Sequence, residues 1–317
     1  MPDATACAPD RPLPDLRFTA PCDCLAHLYG NAGDRPLRAR FYDTDMSDEE
    51  WQVIRRVMPL PGWLCGRGGN PEGYCHREMF DAVRYFVDSG IKWRAMPADF
   101  PPWGAVYAFQ RRWQAEELLD VLHDRLREQV RLLEGRDDPE PTAAIVDSQS
   151  LRGAATLTGE RRGYDGAKLV SGSKRHVAVD CLGLLLVVLV TAADLQDRDA
   201  GVQLLGAVRR LFTRVRLVWA DSGYAGALVD WAREKLALKV EVVRRSDDMS
   251  GFVVLPRRWV VERTFAWLVN CRRLVRDYER TTAAHEAYVK WAMVTLMTRR
   301  LAAVGHTAAR QCPPVSV

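Results

Sequence analysis

The chain has 317 residues, 48% of them hydrophobic and 27% charged, with a formal net charge of +4. That composition is globular and allows one large domain or two smaller ones. The longest apolar run, Leu182–Ala193, is too short to span a bilayer, and the N-terminus has no signal-peptide pattern, so a cytoplasmic protein without a membrane partner is expected.

In chain order, residues 1–45 are rich in Pro, Asp, Ala and Arg without periodicity, and a flexible extension is expected there. Its Cys22-x-Cys24 and a later Cys75-His76 are the closest Cys and His groupings. No C-x-x-C or H-x3–5-H spacing accompanies them, so a zinc finger is not expected and the thiols read as free and reduced. Ser47-x-x-Glu50 is a capping box opening a helix through Met58, which Pro59 and Pro61 stop. Further helices are expected over 76–89, 105–113 and 117–134. Residues 46–134 therefore read as a helical domain. The turn Pro101-Pro102-Trp103 into a helix with Gln110, Arg111 and Arg112 allows a helix-turn-helix presenting Arg111 and Arg112 to DNA, or a platform that only packs. Gly135–Pro141 reads as a linker.

From Thr142 the pattern changes. A buried strand carries Asp147. A Gly- and Arg-rich loop (152–173) follows, then strands 174–180 and 184–191 as an antiparallel hairpin. Next come helix 200–212, strand 216–220 ending at Asp221, helix 227–236 and strand 239–243. Pro256–Arg280 reads as one helix, with an apolar stripe through Val261, Phe265, Leu268 and Val275 and a polar side bearing Arg258, Glu262, Arg273 and Arg276. An apolar helix, 288–304, precedes a flexible tail, 305–317. Positive charge is focused: residues 152–176 and 256–280 each carry a net +4, leaving the remainder at −4.

In this order the first and fourth strands would be neighbours, which brings Asp147 and Asp221 to one sheet edge. Glu262 would arrive from the helix after the fifth strand. Three converging carboxylates raise one another's pKa unless a cation sits among them, and hard oxygen ligands suit Mg²⁺. Two such ions can clamp an in-line displacement at phosphorus.

The stretches IVDSQS around Asp147, DGAKLVSGSKRHVAVDCLGLLLVVLVTAAD (165–194), WADSGYAG around Asp221 and GFVVLPRRWVVERTFAWL (251–268) closely resemble bacterial insertion-sequence transposases with a DDE triad, the IS-five grouping. Residues 46–113 resemble that family's N-terminal helical domain. The resemblance implies an α/β chain: an RNase H-like mixed five-stranded sheet flanked by helices (142–304) after a small all-α domain. It implies a triad of Asp147, Asp221 and Glu262 holding Mg²⁺, two ions, with Mn²⁺ as substitute. The implied reaction cuts element ends and joins the freed 3′-OH to target DNA. Partners would be double-stranded DNA (terminal inverted repeats and target) and further copies of the chain on DNA, with no small-molecule substrate. Within the basic segments, Lys168, Lys174, Arg175 and His176 match family-like positions for DNA contact. Arg258, a DNA-contact candidate that could instead orient Glu262, fits the Arg of the wider family's Tyr-x2-Arg-x3-Glu-x6-Lys signature, whereas Leu255 and Val269 replace its Tyr and Lys. Arg273 and Arg276 are further DNA-contact candidates from helix geometry. Two other readings stay open: a metal-dependent nuclease without strand transfer, and an inactive DNA-binding remnant.

Overall fold

The computed structural model describes residues 22–34, 38–65, 72–243 and 258–311. The chain forms two compact units. One gathers the described residues up to Phe86, Ile91–Leu126 and those from Val294 on; the other gathers Val87–Gly90 and Arg127–Met293. Three of the boundaries between them, at Phe86/Val87, Leu126/Arg127 and Met293/Val294, fall within helices, and the fourth follows Gly90.

The first unit is helical. It contains α1 (Leu25–Tyr29), α2 (Asp48–Val57), α3 (Gly62–Cys65), most of α4 (His76–Ser89), α5 (Trp103–Ala115) and the start of α6 (Leu118–Leu133). The Ser47 hydroxyl accepts the Glu50 N–H at 3.1 Å, so α2 begins where the capping box places it. Phe80, Phe109 and Trp113 are fully buried and meet edge-on or tilted, with ring centroids 5.2 to 5.9 Å apart. Such pairs add directionality to the burial that drives helix packing. Residues 22–34 and 38–45 differ from the expected loose extension. Leu25–Tyr29 is helical, Cys24 and Ala26 are fully buried, and the Asp45 carboxylate accepts the Phe41 and Tyr42 amides. Residues 1–21 and 35–37 of that expectation lie outside the described residues.

The second unit is built on a mixed sheet: β1 (Ala143–Arg152), β2 (Gly163–Asp165), β3 (Val170–Val179), β4 (Leu185–Ala192), β5 (Leu217–Ala220) and β6 (Lys239–Val242). Its main path runs β4-β3-β1-β5-β6, with the short β2 added against the start of β3. β3 is antiparallel to β1 and β4, while β5 is parallel to β1 and β6 parallel to β5. This is the strand order of an RNase H-like sheet. The expected long loop over 152–173 is shorter than its composition suggests: β1 and β3 pair as far as Arg152 and Gly172, and β2 (Gly163–Asp165) interrupts the loop between them. α7 (Asp197–Leu211) and α8 (Ala227–Leu236) bury Leu204, Leu205, Val208 and Leu228 against Ala144, Val146 and Ala178 of the sheet.

The segment expected as one helix from Pro256 to Arg280 is broken. Pro256 and Arg257 lie outside the described residues. α9 covers Arg258–Val269 and α10 covers Arg272–Val275, with Cys271 extended between them. The chain then runs extended, and Asp277 bridges to Gly153. The last helix, α11 (Thr282–Gln311), starts earlier than its apolar pattern and continues to Gln311 through most of the expected tail.

Gly172 is where three chain segments crowd. A Cβ there would stand 2.0 Å from the Leu151 carbonyl oxygen and 2.3 Å from the Gly153 amide nitrogen. All of these are backbone atoms at the end of β1, and backbone cannot yield as a flexible side chain can. Gly172→Ala is expected to cost about 3 kcal/mol or more, read as a lower urea midpoint. An unchanged midpoint would show that the β1–β3 spacing is looser than described.

Candidate active site

β1 pairs with β5 only from Ala143 to Ile145, where Ile145 stands opposite Trp219. Two residues further along each chain come Asp147 and Asp221. Asp147 was expected at a strand end, but β1 continues to Arg152. The pairing with β5 is what ends, and this leaves the β5 side of β1 open at the carboxylate. Val146 lies in the core with α7 and α8, so by strand alternation Asp147 faces the other side, where α9 packs on the sheet.

α9 is fixed by its apolar stripe. Val260, Val261, Thr264, Phe265 and Leu268 are buried at 3–4 residue spacing. The Thr264 hydroxyl donates to the Gly183 carbonyl at 2.8 Å, and Arg263 donates to the Leu182 carbonyl at 2.9 Å. Arg263 also lies over the Trp259 and Trp267 rings, at 4.5 and 4.8 Å. With that face docked on the β3–β4 turn, Arg258 and Glu262 project one helical turn apart on another face.

The three carboxylates then surround one nitrogen. Arg258 Nη2 is 3.4 Å from Asp147 Oδ2, 4.0 Å from Asp221 Oδ2 and 4.0 Å from Glu262 Oε1. Asp147 Oδ1 accepts the Ser148 amide at 2.7 Å, and Asp221 Oδ1 accepts the Gly223 amide at 2.9 Å. Burial, together with the negative charge of Asp221, pushes the Asp147 carboxyl up to about 6, against the opposing pull of the Ser148 amide and Arg258. One guanidinium is therefore too little positive charge for the cluster. Glu262, half exposed, opens it to solvent.

The basic residues expected to meet DNA separate into two groups. Lys168 is exposed, with its ammonium 3.5 Å from the Ser148 carbonyl, next to Asp147. Arg276 is exposed too, but donates twice to the Gly153 carbonyl, at 3.2 and 2.8 Å. Arg111 is exposed on α5, and so is Arg112, which is 3.5 Å from Glu72 and stacks over Trp63. By contrast, the expectation fails for Lys174, Arg175, His176 and Arg273, which are buried. β3 lies between β1 and β4, and its two faces are covered by α7 and α9. Lys174 pairs with Asp197 at 3.1 Å. Arg175 donates to the Leu274 carbonyl at 3.0 Å and to Gln149. His176 meets Thr191 at 3.1 Å, and burial drives its pKa down to about 4. Arg273 is ion-paired to Glu279 at 2.7 Å, because the break after α9 turns it inward.

Two neighbours of the site were not singled out from sequence. A Cβ on Gly223 would lie 3.0 Å from Asp221 Oδ1 and 3.1 Å from Asp197 Oδ2, which puts Asp197 beside the second carboxylate. Burial raises the Tyr224 hydroxyl pKa, and the charges of Asp197, Asp147 and Asp221 raise it further. The signal for Asp197 was the acidic start of α7, DRD, which reads equally as helix-dipole chemistry.

Residues 138–297 match the family model described as "Transposase DDE domain", and residues 46–123 match "Putative transposase of IS4/5 family". The chain belongs to the DDE transposases of the IS4/5 type. A relative from Burkholderia cepacia, "Putative transposase for insertion sequence element IS402", is 36% identical over 132 residues. That match covers 38% of this chain and spans 59% of the relative's length. Among solved structures, "Crystal structure of the Mos1 Strand Transfer Complex" aligns at 12% identity and a TM-score of 0.26, covering 74% of this transposase and 78% of that chain. Among the described residues, no helix of the transposase is long and apolar enough to cross a membrane.

Proposed function

We propose that this transposase cuts DNA at the ends of its element and joins the freed ends to target DNA, using Asp147, Asp221 and Glu262 as the catalytic carboxylates. The observation that carries the reading is the placement of all three within 4.0 Å of Arg258 Nη2. A site of oxygen donors, short of positive charge and open to solvent at Glu262, fits a hard divalent cation. These three side chains would hold it: Mg²⁺, two ions, with Mn²⁺ as a substitute. When bound, such ions neutralise charge at phosphorus and lower the pKa of the attacking oxygen.

In the cutting step, water attacks phosphorus, the P–O3′ bond breaks and a 3′-hydroxyl leaves. In the joining step, that hydroxyl attacks a target phosphodiester and displaces a second 3′-hydroxyl. Arg258 tempers the repulsion among the carboxylates, and the exposed Lys168 contacts a phosphate beside them. On α5, Trp103, Tyr107 and Arg111 form an exposed stripe at four-residue spacing, which suits a nucleic-acid face of stacking and charge. A protein acting this way would work in the cytoplasm on nucleoid DNA, as an assembly of copies holding paired ends.

The test is to incubate purified protein and Mg²⁺ with DNA carrying the element's ends. Joined products support the reading. Nicks alone favour a nuclease on the same fold, and intact DNA with either Mg²⁺ or Mn²⁺ favours an inactive DNA-binding remnant.

Lys168→Ala is expected to weaken DNA binding at all sequences and to reduce the slope of log K against log salt by about 1. Arg175→Ala should leave that slope unchanged while lowering the thermal midpoint, since its partners are internal. Fluorescence anisotropy across a salt series separates the two. Equal slopes for wild type and Lys168→Ala would remove Lys168 from the DNA face.

A further inference from the structure

The first unit holds a second polar cluster, remote in sequence from the carboxylates and not used by the proposed reaction. Cys22, Cys24, His27 and Cys75 each offer a ligand atom, and these four atoms all lie within 4.8 Å of one another. Cys24 Sγ is 3.0 Å from His27 Nδ1 and 4.0 Å from Cys75 Sγ, and Cys75 Sγ is 3.6 Å from Cys22 Sγ. A tetrahedral site with Zn–S bonds of about 2.3 Å spaces its sulfurs by about 3.8 Å. These two sulfur spacings fall on either side of that value. All three cysteines are free thiols.

The surroundings are those of a built site. Cys24 and Cys75 are buried, and Cys22 and His27 are half-buried. Cys24 is the N-cap of α1, and His27 lies three residues on, so both present to the same side of its first turn. The His76 amide donates to Cys24 Sγ at 3.3 Å, an N–H···S bond of the kind that steadies a thiolate ligand. The segment is held independently on both flanks. Arg55 donates twice to the Asp23 carbonyl, at 3.2 and 3.1 Å, and the Asn31 amide donates to the Glu72 carbonyl at 2.9 Å. Three sulfurs and one imidazole are soft and borderline donors, which select zinc over the hard cation suited to the carboxylate site. With four protein ligands no coordination position remains open, so such a site is structural and not catalytic.

We propose that Cys22, Cys24, His27 and Cys75 form a closed Zn²⁺ site that staples the N-terminal segment to the start of α4. No zinc-finger spacing marks the cluster in the sequence, because the fourth ligand is supplied 48 residues beyond His27, by a loop running into another helix. Binding releases the protons of the thiols and involves no oxidation or reduction. Cys22, Cys24 and His27 precede the 46–123 span shared with the IS4/5 model, so this staple is added from outside that span. The inference does not depend on the proposed DNA chemistry.

The full-length protein, purified reduced and without chelator from zinc-supplemented cells, should contain about one zinc per chain by mass spectrometry of the metal. After the zinc is stripped, adding Co²⁺ to the reduced protein should give the visible d–d bands of a tetrahedral site and a sulfur-to-metal charge-transfer band. Cys22→Ser and Cys75→Ser should lose both signals. Cys271→Ser should keep them, and so should the combined Asp147→Asn, Asp221→Asn, Glu262→Gln variant, which separates this metal from any at the carboxylates. If the cluster variants fail to fold, the wild-type protein still decides. A chelator should lower its thermal midpoint and zinc should restore it. The proposal is overturned by folded, reduced wild-type protein that holds no zinc and shows no thiolate–cobalt band. Full zinc content in Cys75→Ser, or a disulfide among these cysteines in freshly purified protein, overturns it as well.

Discussion

Asp147→Asn is expected to abolish DNA cleavage and, at the same time, to make the metal-free protein more stable at neutral pH. If the site holds a divalent cation as proposed, loss of one carboxylate removes several kcal/mol of transition-state stabilisation, a fall in rate of about a thousandfold or more. The stability gain has a separate cause. In the folded chain burial beside Asp221 pushes the Asp147 carboxyl up to about 6, from the ordinary aspartate value of 3.8. Between those values the native state keeps a proton that the unfolded chain has lost, so stability falls as pH rises through that window. By pH 7 the penalty is on the order of 1–3 kcal/mol. Asparagine never ionises and escapes it. The difference between variant and wild type should therefore be small at pH 3.5, grow up to about pH 6 and then level off. Urea denaturation in the absence of divalent ions, repeated across this range, measures it. A variant less stable than wild type at every pH would mean that Asp147 is better compensated than its surroundings indicate.

Arg258→Ala should act in the opposite sense on stability and sharpen the response to metal. The guanidinium is the one cation within 4.0 Å of all three carboxylates among the described residues. Without it, the metal-free protein keeps a cluster of uncompensated negative charge and should lose about 1–3 kcal/mol. A divalent ion then has no competitor for the same oxygens. The rise in thermal midpoint produced by Mg²⁺ should be larger in Arg258→Ala than in wild type, and smaller than wild type in Asp147→Asn. Thermal melts over a Mg²⁺ series report this as a difference in apparent affinity. Identical shifts in all three proteins would place the ion elsewhere and sink the assignment of these carboxylates as its ligands.

Much of this arrangement was legible from residues alone because the signals are local. Ser47 and Glu50 cap a helix wherever they stand in that spacing. The β3–β4 hairpin follows from two apolar runs around Cys181-Leu182-Gly183, and Gly183 takes the left-handed conformation that the turn needs. Asp147, Asp221 and Glu262 could be paired because strand order, once inferred, dictates which strand ends meet. The basic residues were less legible. Lys174, Arg175 and His176 alternate between two faces, and a charged strand reads as solvent-facing. The sequence has no local mark that helices cover both faces of β3. Arg273 was placed by extending one helix across a break that its own apolar stripe does not announce.

By itself, then, the amino-acid sequence determined the family and the order of the main strands, and it offered Asp147, Asp221 and Glu262 as candidate carboxylates, since each rests on motifs a few residues long or on strand order. Tertiary structure alone decided what lies between the carboxylates, which cations are exposed, and that three cysteines and a histidine converge. Those features depend on side chains brought together from distant parts of the chain, as with Arg258 and Asp147, 111 residues apart. Contacts at that range are set by how helix faces dock on the sheet and on one another, which periodicity constrains only to a face and never to a partner.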